Sequence, residues 1–127
     1  MMGPELHGEE KYLAGGILAP NNSVYFAPYE AEHVLCVNTE TGSVEMMGPE
    51  LNDEEKYLAG GVLGPNNCVY FAPYEAEHVL CVNTETGSVE MMGPELHGEA
   101  KYRAGGVLAP NNCVYFAPSN ADHVLCV

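Results

Sequence analysis

The chain has 127 residues, 46% of them hydrophobic and 9% aromatic, with 14 Gly and 9 Pro, which is enough for one ordinary domain with a core and many turns. Eighteen acidic residues against four Lys and Arg give a formal net charge of −14. That balance repels phosphate backbones and anionic membranes, so neither nucleic acid nor membrane is an expected partner; cations and basic partners are favoured, or the charge simply keeps the surface solvated.

No apolar run approaches the roughly 18 residues of a membrane span, and no charged-then-apolar leader opens the chain. The chain opens on Met1-Met2-Gly3-Pro4-Glu5-Leu6, and the same hexapeptide returns at Met46 and Met91, a period of 45 residues. Three units follow: 1–45, 46–90 and a shorter 91–127. The first two differ at five positions only (His7/Asn52, Gly8/Asp53, Ile17/Val62, Ala19/Gly64 and Ser23/Cys68), and the third differs from the second at eight. Such identity means a very recent amplification or an engineered gene.

Within a unit, the second for instance, Tyr57–Leu63 reads as a first strand, rich in Gly and Ala and ended by Pro65. Asn66-Asn67 is a turn signal, because Asn tolerates positive φ. Cys68–Ala72 is β-branched and aromatic and stops at Pro73. His78–Val82 is the third run, closed by the turn Asn83–Gly87, and Ser88–Gly93 is the fourth. Turn signals about every ten residues, with no helical periodicity, predict an all-β chain.

The strings "AGGVLAPNNCVYFAP" (104–118) and "HVLCVNTETGSVE" (78–90) resemble the blades of β-propellers in the kelch, WD40 and NHL groupings. Four-stranded units of this period are the mark of that architecture. The near-identical copies look most like an engineered symmetric propeller built by copying one blade. The resemblance implies three four-stranded antiparallel blades per chain.

Three blades are too few to close a ring, since closed rings run from about four blades upward. The expectation is therefore head-to-tail assembly of identical chains. The truncated third blade would be completed by the N-terminal strand of another copy, at a seam of Met1, Met2, Gly3 and Pro4 with His123, Val124, Leu125, Cys126 and Val127. A homotrimer of nine blades is favoured and a homodimer of six is the alternative. The seam, short of a full fourth strand, is expected to be the weakest part of the ring.

In an up-and-down meander alternate loops share a rim. The segments 4–11 and 28–33, with their repeats, therefore gather most of the acid on one face. Carboxylate and imidazole there are donors for divalent cations, which makes His7, Glu9, Glu32, His33, Glu77, His78, His97 and His123 candidate ligands. Glu32-His33 and Glu77-His78 are sequence neighbours that point to opposite faces of a strand, and Asn52 breaks the His7/His97 series. His33 can equally hydrogen-bond a turn. Lys11, Lys56 and Lys101 read as local ion-pair partners in the acidic loops.

The five cysteines, odd in number and without a short framework spacing, read as buried core residues in a reducing, cytoplasmic setting. Gly15-Gly16 and its repeats fit close backbone approach at a crowded axis. No nucleophile elbow, phosphate loop or dinucleotide fingerprint is present. Asn21–Ser23 matches a glycosylation acceptor in one unit only. The reading is a non-catalytic, self-assembling structural module needing no cofactor; the alternative is a binding module with an acidic Glu/His rim.

Overall fold

In a computed structural model of the chain, residues 2–127 are described; Met1, assigned above to the seam, lies outside them. Eleven strands form among these residues. They are β1 (Ile17–Leu18), β2 (Ser23–Phe26), β3 (Val34–Asn38), β4 (Val44–Met47), β5 (Val62–Leu63), β6 (Cys68–Phe71), β7 (Val79–Asn83), β8 (Val89–Met92), β9 (Val107–Leu108), β10 (Val114–Phe116) and β11 (Leu125–Cys126). They make three antiparallel sheets: β1-β2-β3-β4, β5-β6-β7-β8 and a three-stranded β9-β10-β11. The registers repeat with the sequence, Tyr25 opposite Cys36 in the first sheet and Tyr70 opposite Cys81 in the second.

The turns form as their residues dictate. Asn22, Asn67 and Asn112 take positive φ of 64°, 57° and 65°, a conformation Asn accepts at little cost. In the turn after β3, Asn38 Oδ1 accepts from the amides of Glu40 (2.9 Å) and Thr41 (3.1 Å), and Gly42 closes it at φ 77°.

The first strand of each unit is shorter than expected: of Tyr57–Leu63 only Val62–Leu63 pairs within its own sheet. The residues before it are bonded elsewhere. Lys56 N donates to Tyr29 O (3.0 Å) and Tyr57 N to Pro28 O (3.2 Å), both in the loop between β2 and β3 of the preceding unit. In the third unit the run 123–127 also shrinks, to Leu125–Cys126.

The core lies between sheets. Tyr25, Ala27 and Val34 of the first sheet pack with Tyr57, Val69, Phe71, Leu80 and Val82 of the second. Ala59, Val62 and Ala72 of the second pack with Tyr102, Val114 and Phe116 of the third. Each Val, Leu or Phe among them contributes about 1.5–3 kcal/mol on burial, and each alanine methyl less. At the inner edge the second glycine of each pair has no room for a side chain: a Cβ at Gly16, Gly61 or Gly106 would sit 2.6 Å from the ring of Phe26, Phe71 or Phe116. The first glycines bring neighbouring sheets together, with Gly60 against the backbone of Gly15 and Gly105 against that of Gly60.

The second sheet is covered on both faces and its neighbours on one. Val34 is 0% and Val79 4% exposed, but Val124 is 60% exposed. Ala27 and Ala72 are buried while Ala117 is exposed. A second contact is likewise unfilled at the third sheet. A Cβ at Gly3 would meet Val44 and one at Gly48 would meet Val89, each at 2.6 Å, whereas Gly93 has no atom within 4 Å.

Candidate functional site: the acidic rim

Two hydrogen bonds put the predicted loops on one rim. Leu51 N donates to Glu32 O (2.7 Å) and Leu96 N to Glu77 O (2.6 Å), so the loop entering each sheet lies beside the loop between the middle strands of the sheet before it. The segment before each lysine takes a left-handed turn at Glu10, Glu55 and Ala100, with φ of 46°, 49° and 50°. A carboxylate of the preceding sheet caps that turn: Glu30 Oε1 accepts from Glu55 N and Glu75 Oε1 from Ala100 N, both at 2.6 Å. Two of the rim glutamates therefore hold neighbouring sheets together.

The lysines do not form the expected ion pairs. Lys56 and Lys101 are each only 2% exposed. Their Nζ atoms donate to the backbone carbonyls of Asp53 (2.5 Å) and Gly98 (2.8 Å), as Lys11 does to Gly8 (2.7 Å). Burial pulls the Lys56 and Lys101 pKa values below the usual lysine range, although Glu30 and Glu75 oppose it. In each unit a tyrosine follows, and its hydroxyl donates across its own sheet: Tyr12 to His33 O (2.9 Å), Tyr57 to His78 O and Tyr102 to His123 O (both 2.8 Å). Burial raises all three phenol pKa values.

Open cavities lie along this rim. One of about 460 Å³ is bordered by His7, Glu32, His33 and Asp53; a second, of about 210 Å³, by Glu50, Glu77 and His78; a third, of about 230 Å³, by Glu75, Glu77 and His97. Of the eight candidate ligands the fold brings two together: Glu77 and His97 meet Glu95, with one donor atom of each within 4.8 Å of the others. His97 Nδ1 is 3.5 Å from Glu77 and Nε2 3.7 Å from Glu95, with the imidazole 74% exposed.

Glu95 was not among the candidate ligands, although Glu95 and His97 stand two apart in an extended loop, a spacing that aims side chains the same way. Among the described residues no other three donor atoms come so close, although His7, Glu32 and His33 border one cavity. Glu9 lines a separate acidic notch with Glu10, Glu54 and Glu55. His33 Nδ1 lies 3.3 Å from Gly48 O, the turn contact expected of it. His78 Nδ1 is buried without a partner, and His123 is exposed. At the junction of the first two sheets Asn52 replaces the imidazole, and the Glu32 carboxyl beside Glu50 raises the Glu50 carboxyl above the usual range.

The expected burial of the cysteines is also corrected. Only Cys81 is buried; Cys36, Cys68 and Cys113 are half-buried and Cys126 is exposed. They lie on or beside the two middle strands of each unit, and only in the second sheet is one of them closed over.

No family and no curated protein matches this sequence. The fold does match solved structures of virginiamycin B lyase from Staphylococcus aureus. A catalytically inactive variant with quinupristin gives a TM-score of 0.68 at 16% identity, and the selenomethionine-substituted enzyme 0.72 at 15%. Each alignment covers 94% of this chain and 39% of the other, so the chain spans well under half the length of these structures. At this identity the likeness is one of fold: the chain is all-β and propeller-like.

Proposed function

We propose that the chain is a non-catalytic, self-assembling propeller fragment whose copies stack head to tail and close into a ring. Three chains and nine blades are favoured, with two chains and six blades the alternative. The observation that carries this reading is the open face of the third sheet. Val124, Tyr115 and Ala117 stand there in the places where Val34, Tyr25 and Ala27 are buried under the second sheet. The first sheet presents the complementary face, with Lys11, Tyr12 and Phe26 only half-buried where Lys56, Tyr57 and Phe71 are closed over. Docking one on the other repeats an interface the chain already makes twice, and a heterologous contact of this kind closes when its rotation allows. The near-identity of the units supports a designed symmetric scaffold, and five free thiols favour a reducing, cytoplasmic setting.

Native mass spectrometry tests it. With a chain of 13.7 kDa, a closed trimer appears at about 41 kDa and a dimer at about 27 kDa. Val124→Glu leaves the single chain folded, because that side chain is exposed, and returns the species to one chain by burying an unpaired carboxylate at the seam. A wild-type chain that stays monomeric at micromolar concentration refutes the reading.

A binding role for the rim is the second reading, favoured by Glu77, Glu95 and His97 gathering across a sheet junction. Saturable zinc binding by calorimetry, lost in His97→Ala, supports it; unchanged heats in that variant count against it.

A further inference from the structure

The second sheet carries Cys68 on β6 and Cys81 on β7, and the third carries Cys113 and Cys126 at the same places. In the ladder Cys68 stands opposite Asn83 and Cys81 opposite Tyr70; Tyr115 stands opposite Cys126 in the same way. Side chains two apart on a strand share a face, so each pair of thiols is a diagonal neighbour pair on one face of its sheet. The first sheet has the same register but carries Ser23 where Cys68 stands, leaving Cys36 alone. The odd count of cysteines is thus two pairs and one single.

Two fates are open to such a pair, and spacing decides between them. Diagonal residues on paired strands lie about 7–8 Å apart at Cα, beyond the roughly 6.8 Å that a disulfide spans without backbone movement. A metal held between two sulfurs at about 2.3 Å from each spans more than twice the ~2.05 Å of an S–S bond. Two thiolates select soft ions over hard ones.

We propose that Cys68–Cys81 and Cys113–Cys126 are two-thiol sites for a soft, thiophilic cation of the Cu(I) type, one in each of these sheets and none in the first. Binding displaces the two thiol protons to solvent and moves no electrons. The pair in the third sheet is open to solvent at Cys126, and at the corresponding place in the first sheet a groove of about 220 Å³ is bordered by Ser23, Tyr25 and Cys36.

The test is an anaerobic titration of the intact chain with Cu(I), in competition with a chromogenic Cu(I) chelator, read together with intact mass. Two ions per chain are expected, falling to one in Cys126→Ser, a substitution at an exposed position. The count stays at two in Cys36→Ser and rises to three in Ser23→Cys, which completes the missing pair. No retained copper, a count that drops in Cys36→Ser, or no gain in Ser23→Cys overturns the proposal. The stoichiometry is counted per chain, so the result stands whether or not copies associate.

Discussion

Replacing Gly61 by Ala tests the account of the inner edge most directly. The added Cβ would lie 2.6 Å from Cε1 and 2.8 Å from Cζ of Phe71, and 2.9 Å from Cγ2 of Ile17. Carbon atoms settle at about 3.5–4.0 Å, so the overlap approaches 1 Å. Phe71 is fully buried and has nowhere to yield. Overpacking of this kind costs about 1–3 kcal/mol, while Gly to Ala at a compatible φ returns about 0.4–1 kcal/mol through the unfolded chain. The net loss is about 1–2 kcal/mol, or a fall in Tm of about 4–8 °C for a chain of this size. Gly15→Ala is the control: its Cβ meets no atom within 4 Å, so Tm holds or rises. Gly16→Ala falls between the two, because Phe26 is only half-buried and its ring can move. Urea and thermal unfolding followed by circular dichroism measure all three. If Gly61→Ala is as stable as Gly15→Ala, steric exclusion is not what selects glycine there.

Other outcomes follow from the same contacts. Tyr57→Phe removes a buried hydrogen bond and strands the carbonyl of His78, at a cost of about 1–2 kcal/mol by urea unfolding. Tyr12→Phe costs less, since water reaches that half-buried site; equal losses would discount burial as the cause. Alkaline behaviour has a definite sign. Burial raises the phenols of Tyr29, Tyr57 and Tyr70, the last to about 12. Unfolded phenols titrate near 10, so the stability these groups contribute is complete below about pH 10 and is lost as pH climbs through the folded values. Lys56 and Lys101, lowered by burial, act oppositely, and their penalty is relieved as pH rises toward about 10.4. Stability therefore holds up to about pH 10 and falls beyond it. Tyrosinate absorbance should rise together with loss of sheet signal; tyrosines that ionise while the sheets persist would contradict this.

The strands were legible because their residues leave little choice: Val, Tyr and Phe between Asn-Asn and Pro form β2 and β6 close to where the sequence puts them. The first run of each unit was over-read, since nothing local to Lys56-Tyr57 says that their amides bond Tyr29 and Pro28 of the preceding unit. The rim itself was legible from loop alternation. What it holds was not, because Glu77 meets Glu95 and His97 only through packing between sheets. The lysines misled for a related reason: in an acidic loop the expected partner is a carboxylate, yet burial leaves their ammonium groups against backbone carbonyls. The cysteines were placed in the core on composition, and it takes the register to find that four of them stand in pairs.

The covering of the second sheet on both faces has a consequence for how the chain comes apart. Stability in a stack of like units is close to a sum over nearest-neighbour contacts, so a unit with two neighbours opens last. Leu80 and Val82 are fully buried there, whereas Leu35 and Val37 of the first sheet are half-buried. Amide hydrogen exchange should grade accordingly, slowest in β6 and β7 and faster in β2, β3, β10 and β11, although these strands carry nearly the same letters. Residues that are copies by sequence would then exchange at different rates because of their neighbours alone.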